Sequence, residues 1–183
     1  MGKGDEIMKS VLILSASPRR NGNSEILCRR FREGAESAGN RVEHIRLYDR
    51  EIGFCRACYA CFRTGRCVQE DDMQEILDKM KAADVLVVAT PTYFLTMNGM
   101  LKNAIDRFLP QWQDLGGHDV YLIVTGHDGR EGLKLVEEEL ASIFTGLGNT
   151  VKGTVWGERT WQKGEVEGTP AMDAAFEAGR SVR

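Results

Sequence analysis

Apolar positions fall into two kinds of segment along this chain. Short, nearly continuous apolar runs, the pattern of strands buried on both faces, occur at "VLILSAS" (Val11–Ser17), "DVLVVAT" (Asp84–Thr90) and "VYLIVTG" (Val120–Gly126), and "TVKGTVWG" (Thr150–Gly157) predicts a further strand. "RVEHIRLY" (Arg41–Tyr48) alternates apolar with polar residues, which predicts a strand nearer an edge. Between these runs the apolar residues lie three and four apart. Ile26, Leu27, Phe31 and Ala35 follow Ser24, and Gly39-Asn40 stops that helix. Met73, Ile76, Leu77 and Met80 mark a second helix, and Leu101, Ala104, Ile105 and Phe108 a third across Asn98–Leu109. "REGLKLVEEELASIFTGLG" and "PAMDAAFEAGR" predict two more. Strands that alternate with helices imply a parallel sheet covered on both faces. Five strands in 183 residues fit one domain, 1–183, built as a doubly wound three-layer α/β/α sheet of order 2-1-3-4-5.

Such sheets bind ligands beyond the carboxyl ends of their strands, where the strand order reverses. That rule nominates the loops after strands one, three and four. In "SASPRRNGNS" (Ser15–Ser24) a strand runs into a helix N-terminus, where free N–H groups and the helix dipole favour an anion. Ser17, Asn23 and Ser24 can add hydrogen bonds there, and Arg19 a charged fork for phosphate; a capped helix with solvated arginines is the bland alternative. The loop has neither G-x-G-x-x-G nor G-K-[ST], which argues against a dinucleotide site and against nucleotide hydrolysis. "TPTYF" (Thr90–Phe94) offers aromatic surface for a flat heterocycle, with Tyr93 as a wall and core packing still open for Phe94. Glycines in "TGHDGREG" allow close backbone approach beside His127. His44 and His118 have no partner residues in sequence and receive no role. A phospho-acceptor receiver domain is excluded, because no acidic residues end strands one and three.

Net charge is −3 and the isoelectric point near 5.7, so nothing invites nucleic acid or an anionic membrane. No apolar run is long enough to span a bilayer, and "MGKGDEIMKS" lacks the apolar stretch of a secretory signal. The expectation is a cytoplasmic protein whose thiols stay reduced. That changes the reading of "FCRACYACFRTGRC", the core of a cysteine-rich loop at 54–68. It carries Cys55, Cys58, Cys61 and Cys67, four of the five cysteines, as C-x2-C-x2-C-x5-C. Metal or redox chemistry suits it better than disulfides. Three cysteines at successive x2 intervals, with Gly65 as a turn before Cys67, fit an iron–sulfur cube better than two separated zinc knuckles. Zinc and free thiols stay open. Cys28 reads as a buried apolar residue.

"LSASPRRNGNS", "ATPTYFLTMNGMLKNAIDRF" and the cysteine loop together resemble the NADPH-dependent FMN reductase family of flavodoxin-like fold, and within it the iron–sulfur flavoprotein branch. The resemblance runs from about Met8 to Gly157. It implies FMN with its phosphate at Ser17, Arg19, Asn21, Asn23 and Ser24, its ring against Pro91, Thr92, Tyr93 and Phe94, and Gly126 and His127 closing the site. It further implies a [4Fe–4S] cluster on Cys55, Cys58, Cys61 and Cys67. Gly126-His127-Asp128 departs from the family's usual form, and the tail after Gly157 matches nothing in it. The reading is an electron-transfer flavoprotein, an oxidoreductase with no side-chain acid or base, passing electrons between cluster and FMN. NAD(P)H or a small redox protein such as ferredoxin would be its partner, in a homodimer or higher homo-oligomer. The alternative is an NAD(P)H-dependent FMN or quinone reductase without a cluster, its cysteines structural or zinc-binding.

Overall fold

The chain runs β1 (Ser10–Ser15), α1 (Asn23–Ser37), β2 (Arg41–Arg46), α2 (Cys61–Thr64), α3 (Met73–Ala82), β3 (Val85–Tyr93), β4 (Thr96–Met97), α4 (Gly99–Asp106), β5 (Asp119–Thr125), α5 (Arg130–Gly146), β6 (Thr150–Gly157) and α6 (Pro170–Arg180). These elements come from a computed structural model that describes residues 8–183, so most of the stretch on which a secretory signal was judged absent lies outside the described residues. The five long strands are all parallel, in the order β2-β1-β3-β5-β6. This is the expected doubly wound, flavodoxin-like three-layer fold. The sixth strand, β4, is a two-residue arm folded back antiparallel on β3.

The apolar runs bury both sheet faces, as their lack of alternation requires. On one face Leu12, Leu14, Leu86, Val88, Leu122 and Val124 pack beneath residues of α3, α4 and α5. On the other, Val11, Ile13, Val87, Ala89 and Ile123 meet α1 and α6. The two helices of that second face touch backbone to backbone. A Cβ at Gly34 would stand 2.0 Å from the Phe176 carbonyl oxygen, and one at Gly179 would stand 2.0 Å from that of Phe31. Only glycine on both helices permits so close a crossing.

Several boundaries shift by a residue or two from the sequence reading, and three differences shape the fold around the site. β2 stops at Arg46, because Leu47 turns into the core through a short 3-10 turn over Leu47–Asp49. α4 ends at Asp106, and a second 3-10 stretch, Leu109–Asp114, carries Trp112. Most importantly for the site, "PTYFLTM" is a tight hairpin. β3 continues through Pro91–Tyr93, Tyr93 pairs with Thr96, and Phe94 and Leu95 both take left-handed backbone (φ 49° and 65°) to make the two-residue turn. Such turns favour Asn-Gly, so two bulky residues there carry strain.

Candidate functional site

The loops after β1, β3 and β5 converge on one cleft of about 460 Å³ at the carboxyl edge of the sheet. Its lining includes Ser17, Arg19, Asn23, Ser24, Pro91, Thr92, Tyr93, Phe94, Gly126 and His127. Asn21 is the candidate it leaves out: that residue is exposed, and its side-chain oxygen accepts from Arg29 (3.1 Å). Core packing for Phe94 is overturned, since its position on the turn leaves the whole ring exposed.

At one end of the cleft stands the N-terminus of α1. Gly22 is its N-cap and no side chain caps it, so its first-turn N–H groups face no competing acceptor. A Cβ at Gly22 would meet Arg19 Cβ and O at 3.0 Å and Ser17 Oγ at 3.1 Å, so the loop winds this tightly around glycine. The Ser17 hydroxyl bonds the Arg19 backbone (3.3 Å), while the buried Ser24 hydroxyl shares a hydrogen bond with Thr125 (2.7 Å). Midway along, the Thr92 hydroxyl is buried and has no hydrogen-bond partner among the described residues. A buried orphan of this kind, lining a cleft, is free to bond a polar group that enters it. Gly126 lies against it: a Cβ there would come within 2.7 Å of Leu133 and 3.1 Å of Thr92. Behind the cleft, Asn98 ties the switch point together. Its amide donates to the Ala16 carbonyl, its backbone N–H donates to Thr90 Oγ1 (3.1 Å), and its side-chain oxygen caps α4 at Leu101 (3.1 Å).

The tail that matched no pattern supplies a further wall. Thr160 and Trp161 line the cleft, and the Trp161 ring meets His127 edge-on, with centroids 5.6 Å apart. Arg19 donates to the Trp161 carbonyl (2.8 Å) and Asn23 to that of Gln162 (2.9 Å). Glu165 accepts the N–H groups of Trp161 (2.5 Å) and Gln162 (2.9 Å), which hold its carboxyl below the usual range. Only position could have announced these residues, since they directly follow the last strand at its carboxyl end.

The cysteine segment forms a second, smaller hollow. Cys55, Cys58, Cys61 and Cys67 line it together, with Arg107 and Leu109 opposite. Ala57 and Tyr59 take left-handed backbone between the cysteines, and Gly65 (φ 66°) makes the turn expected of it. All five cysteines are free, and Cys28 is fully buried; desolvation pushes its thiol up. Among the described residues, no group of three or more His, Cys, Asp or Glu side chains converges tightly enough to hold a metal ion. The expected four-thiolate site is thus present as a shared hollow rather than as a closed cage. A clasp stands beside it. Arg107, 2% exposed, donates to both oxygens of Asp71 (2.7 and 3.0 Å) and to the Gly53 carbonyl (2.6 Å). Asp71 accepts in turn from the N–H groups of Gly53 (2.9 Å) and Met73 (3.1 Å). One ion pair therefore joins the residues before and after the cysteines.

Residues 9–162 match the NADPH-dependent FMN reductase family, a span that takes in both the cleft and the cysteine segment. The chain belongs to that family. An iron–sulfur flavoprotein of Archaeoglobus fulgidus is 36% identical over 103 residues, which covers 56% of this chain and 46% of that one. Another from the same organism is 24% identical over 180 residues, covering 93% and 90%. At the higher identities the chain spans about half the length of the curated relatives it matches. Among solved structures, an azoreductase from Bacillus anthracis superposes with a TM-score of 0.75 at 18% identity, covering 96% of this chain and all of that one. At such identity the likeness is one of fold. No helix among the described residues is long and apolar enough to cross a membrane.

Proposed function

We propose that this protein binds FMN in the 460 Å³ cleft and works as an FMN-dependent oxidoreductase, taking reducing equivalents from NAD(P)H and passing them to a small acceptor such as a second flavin or a quinone. The observation that carries this reading is the meeting of an uncapped helix N-terminus, an orphaned Thr92 hydroxyl and an aromatic hairpin in one cleft of a chain from this family. FMN would supply the hydride and single-electron chemistry. The protein's part is binding and orientation. The first turn of α1, with Ser17, Ser24 and Arg19, holds the phosphate, and Asn23 keeps the tail in place around it. Thr92 offers a hydrogen bond to the polar edge of the ring, while Pro91 and Tyr93 cover its apolar part and keep water off it. Phe94 and His127 stand at the mouth. No side chain in the cleft is needed as an acid or base, in line with redox chemistry carried by the cofactor.

The test is purification followed by anaerobic titration. Protein that carries flavin and whose visible flavin absorbance is bleached by NADPH or NADH supports the reading. Protein that neither retains nor takes up FMN ends it.

A second reading has its own support: four cysteines around one hollow, in a chain whose relatives are named iron–sulfur flavoproteins. The thiols suit a [4Fe–4S] cluster by chemistry, and Cys55, Cys58, Cys61 and Cys67 would hold it. Single electrons could then be exchanged with a small redox protein such as ferredoxin. The open arrangement of the thiols places this reading behind the cluster-free reductase. Iron and sulfide analysis of anaerobically prepared protein separates the two.

A further inference from the structure

The first turn of α1 holds a buried negative charge where an anion is meant to bind. Glu25, third residue of the helix, is only 4% exposed. Its carboxylate accepts from the Ser15 hydroxyl, and its charged neighbours are Arg46 Nε at 3.3 Å and His44 Nε2 at 3.9 Å. On an exposed helix an acidic first turn complements the dipole. Here it would instead spend that dipole and leave less for a phosphate. Arg46 closes the account. It reaches from the end of β2, its side chain 13% exposed, and meets three groups at once. Its charge lies beside Glu25 without a hydrogen bond between them, and it donates to the carbonyl of Ser17 (3.2 Å), a residue that lines the cleft, and to both oxygens of Asp49 (2.9 Å each). Asp49 is half exposed and has a second partner in Arg20 (2.9 Å). Burial pushes the His44 imidazole below its ordinary value, so at neutral pH it brings no charge to the cluster.

We propose that Arg46 is the positioning residue that gives the cleft its preference for a phosphorylated flavin over riboflavin: it neutralises Glu25 beneath the α1 N-terminus and grips the Ser17 end of the phosphate loop. The inference rests on the FMN reading above and adds to it a residue that touches no ligand. Without Arg46, a carboxylate shielded from water lies within one helical turn of a group carrying nearly two negative charges. Riboflavin, which lacks the phosphate, is indifferent to that charge.

The test is the ratio of FMN to riboflavin affinity, measured by flavin fluorescence quenching on flavin-free protein. Arg46→Gln is expected to lower the preference for FMN by roughly ten-fold. Arg46→Lys, which keeps the charge, retains most of it. Glu25→Gln raises the preference, and Glu25→Gln with Arg46→Gln returns it toward wild type. Equal weakening of both flavins by Arg46→Gln means a merely structural role and overturns the proposal, as does a double variant no better than Arg46→Gln alone. If Arg46→Gln does not fold, Glu25→Gln decides by itself: an unchanged or lowered preference overturns the idea. Wild-type protein that binds neither flavin defeats the FMN reading and this inference together, and the wild-type titration tells that failure apart from the others.

Discussion

Replacing Arg107 with methionine keeps a stem about as long as the side chain's Cβ–Nε portion and removes three donated hydrogen bonds, two to Asp71 and one to the Gly53 carbonyl. What remains is a carboxylate whose side chain is 12% exposed, left without its cation. Breaking a buried pair from one side costs about 3–5 kcal/mol. Asp71 keeps the N–H groups of Gly53 and Met73, which puts the expected loss near the lower end, about 3 kcal/mol. For a chain of this size that is roughly 6–12 °C in Tm. Urea unfolding, with an unchanged m value, is the assay. Arg107→Met combined with Asp71→Leu should recover part of the loss, because the stranded charge is its main source. The acid limb gives an independent check. Burial tends to raise the Asp71 carboxyl, but the Arg107 fork and the two N–H groups outweigh it and hold the carboxyl below its usual range. A depressed folded value means the clasp stabilises fully above the ordinary carboxylate pKa and is lost as pH falls through the folded one. Wild type should therefore converge on Arg107→Met in acid. A neutral-pH difference under about 1 kcal/mol, or one that stays constant into acid, would refute the clasp.

Arg19→Ala should weaken FMN by roughly 1.5–3 kcal/mol, read by fluorescence titration, since it removes a charged donor and frees the Trp161 carbonyl it holds; unchanged affinity would sink its assignment. If the hollow takes up a cluster, Cys58→Ser should abolish most iron uptake on anaerobic reconstitution while leaving FMN bound, and Cys28→Ser should leave both intact; stoichiometric zinc with negligible iron would count against the cluster. Phe54, Phe62 and Trp112 are exposed at 78%, 62% and 44%, and aromatics are enriched in interface cores, so light scattering at micromolar concentration should find a homo-oligomer rather than a monomer.

The middle of the sheet was legible because β1, β3 and β5, buried on both faces, leave nearly unbroken apolar runs. The strand order followed from alternation, and the site's place followed from the order. Individual roles were less visible. Phe94 reads from sequence as core or as a wall of the site; only the left-handed turn it shares with Leu95 turns it into solvent. Glu25, His44, Arg46 and Arg107 were passed over for one reason. Glu25 and Arg46 meet each other, and Arg107 meets Asp71, across the fold, the last pair at 36 residues' separation, and His44 packs beside Glu25 from β2; such meetings leave no local trace. Trp161 escaped notice because the residues between β6 and α6 have no periodicity to read.

The bare crossing of α1 over α6 has a consequence for inheritance. Where the two helices meet through glycine at positions 34 and 179, each faces the other's backbone, which cannot rotate aside to absorb a change. A methyl group at either position drives α6 away from α1, and with it the tail that closes the cleft over Arg19 and Asn23. Lineages that enlarge one position should therefore have rebuilt or discarded everything beyond β6. Descendants that keep the tail should carry both glycines as a pair, however far the rest of the two helices has drifted.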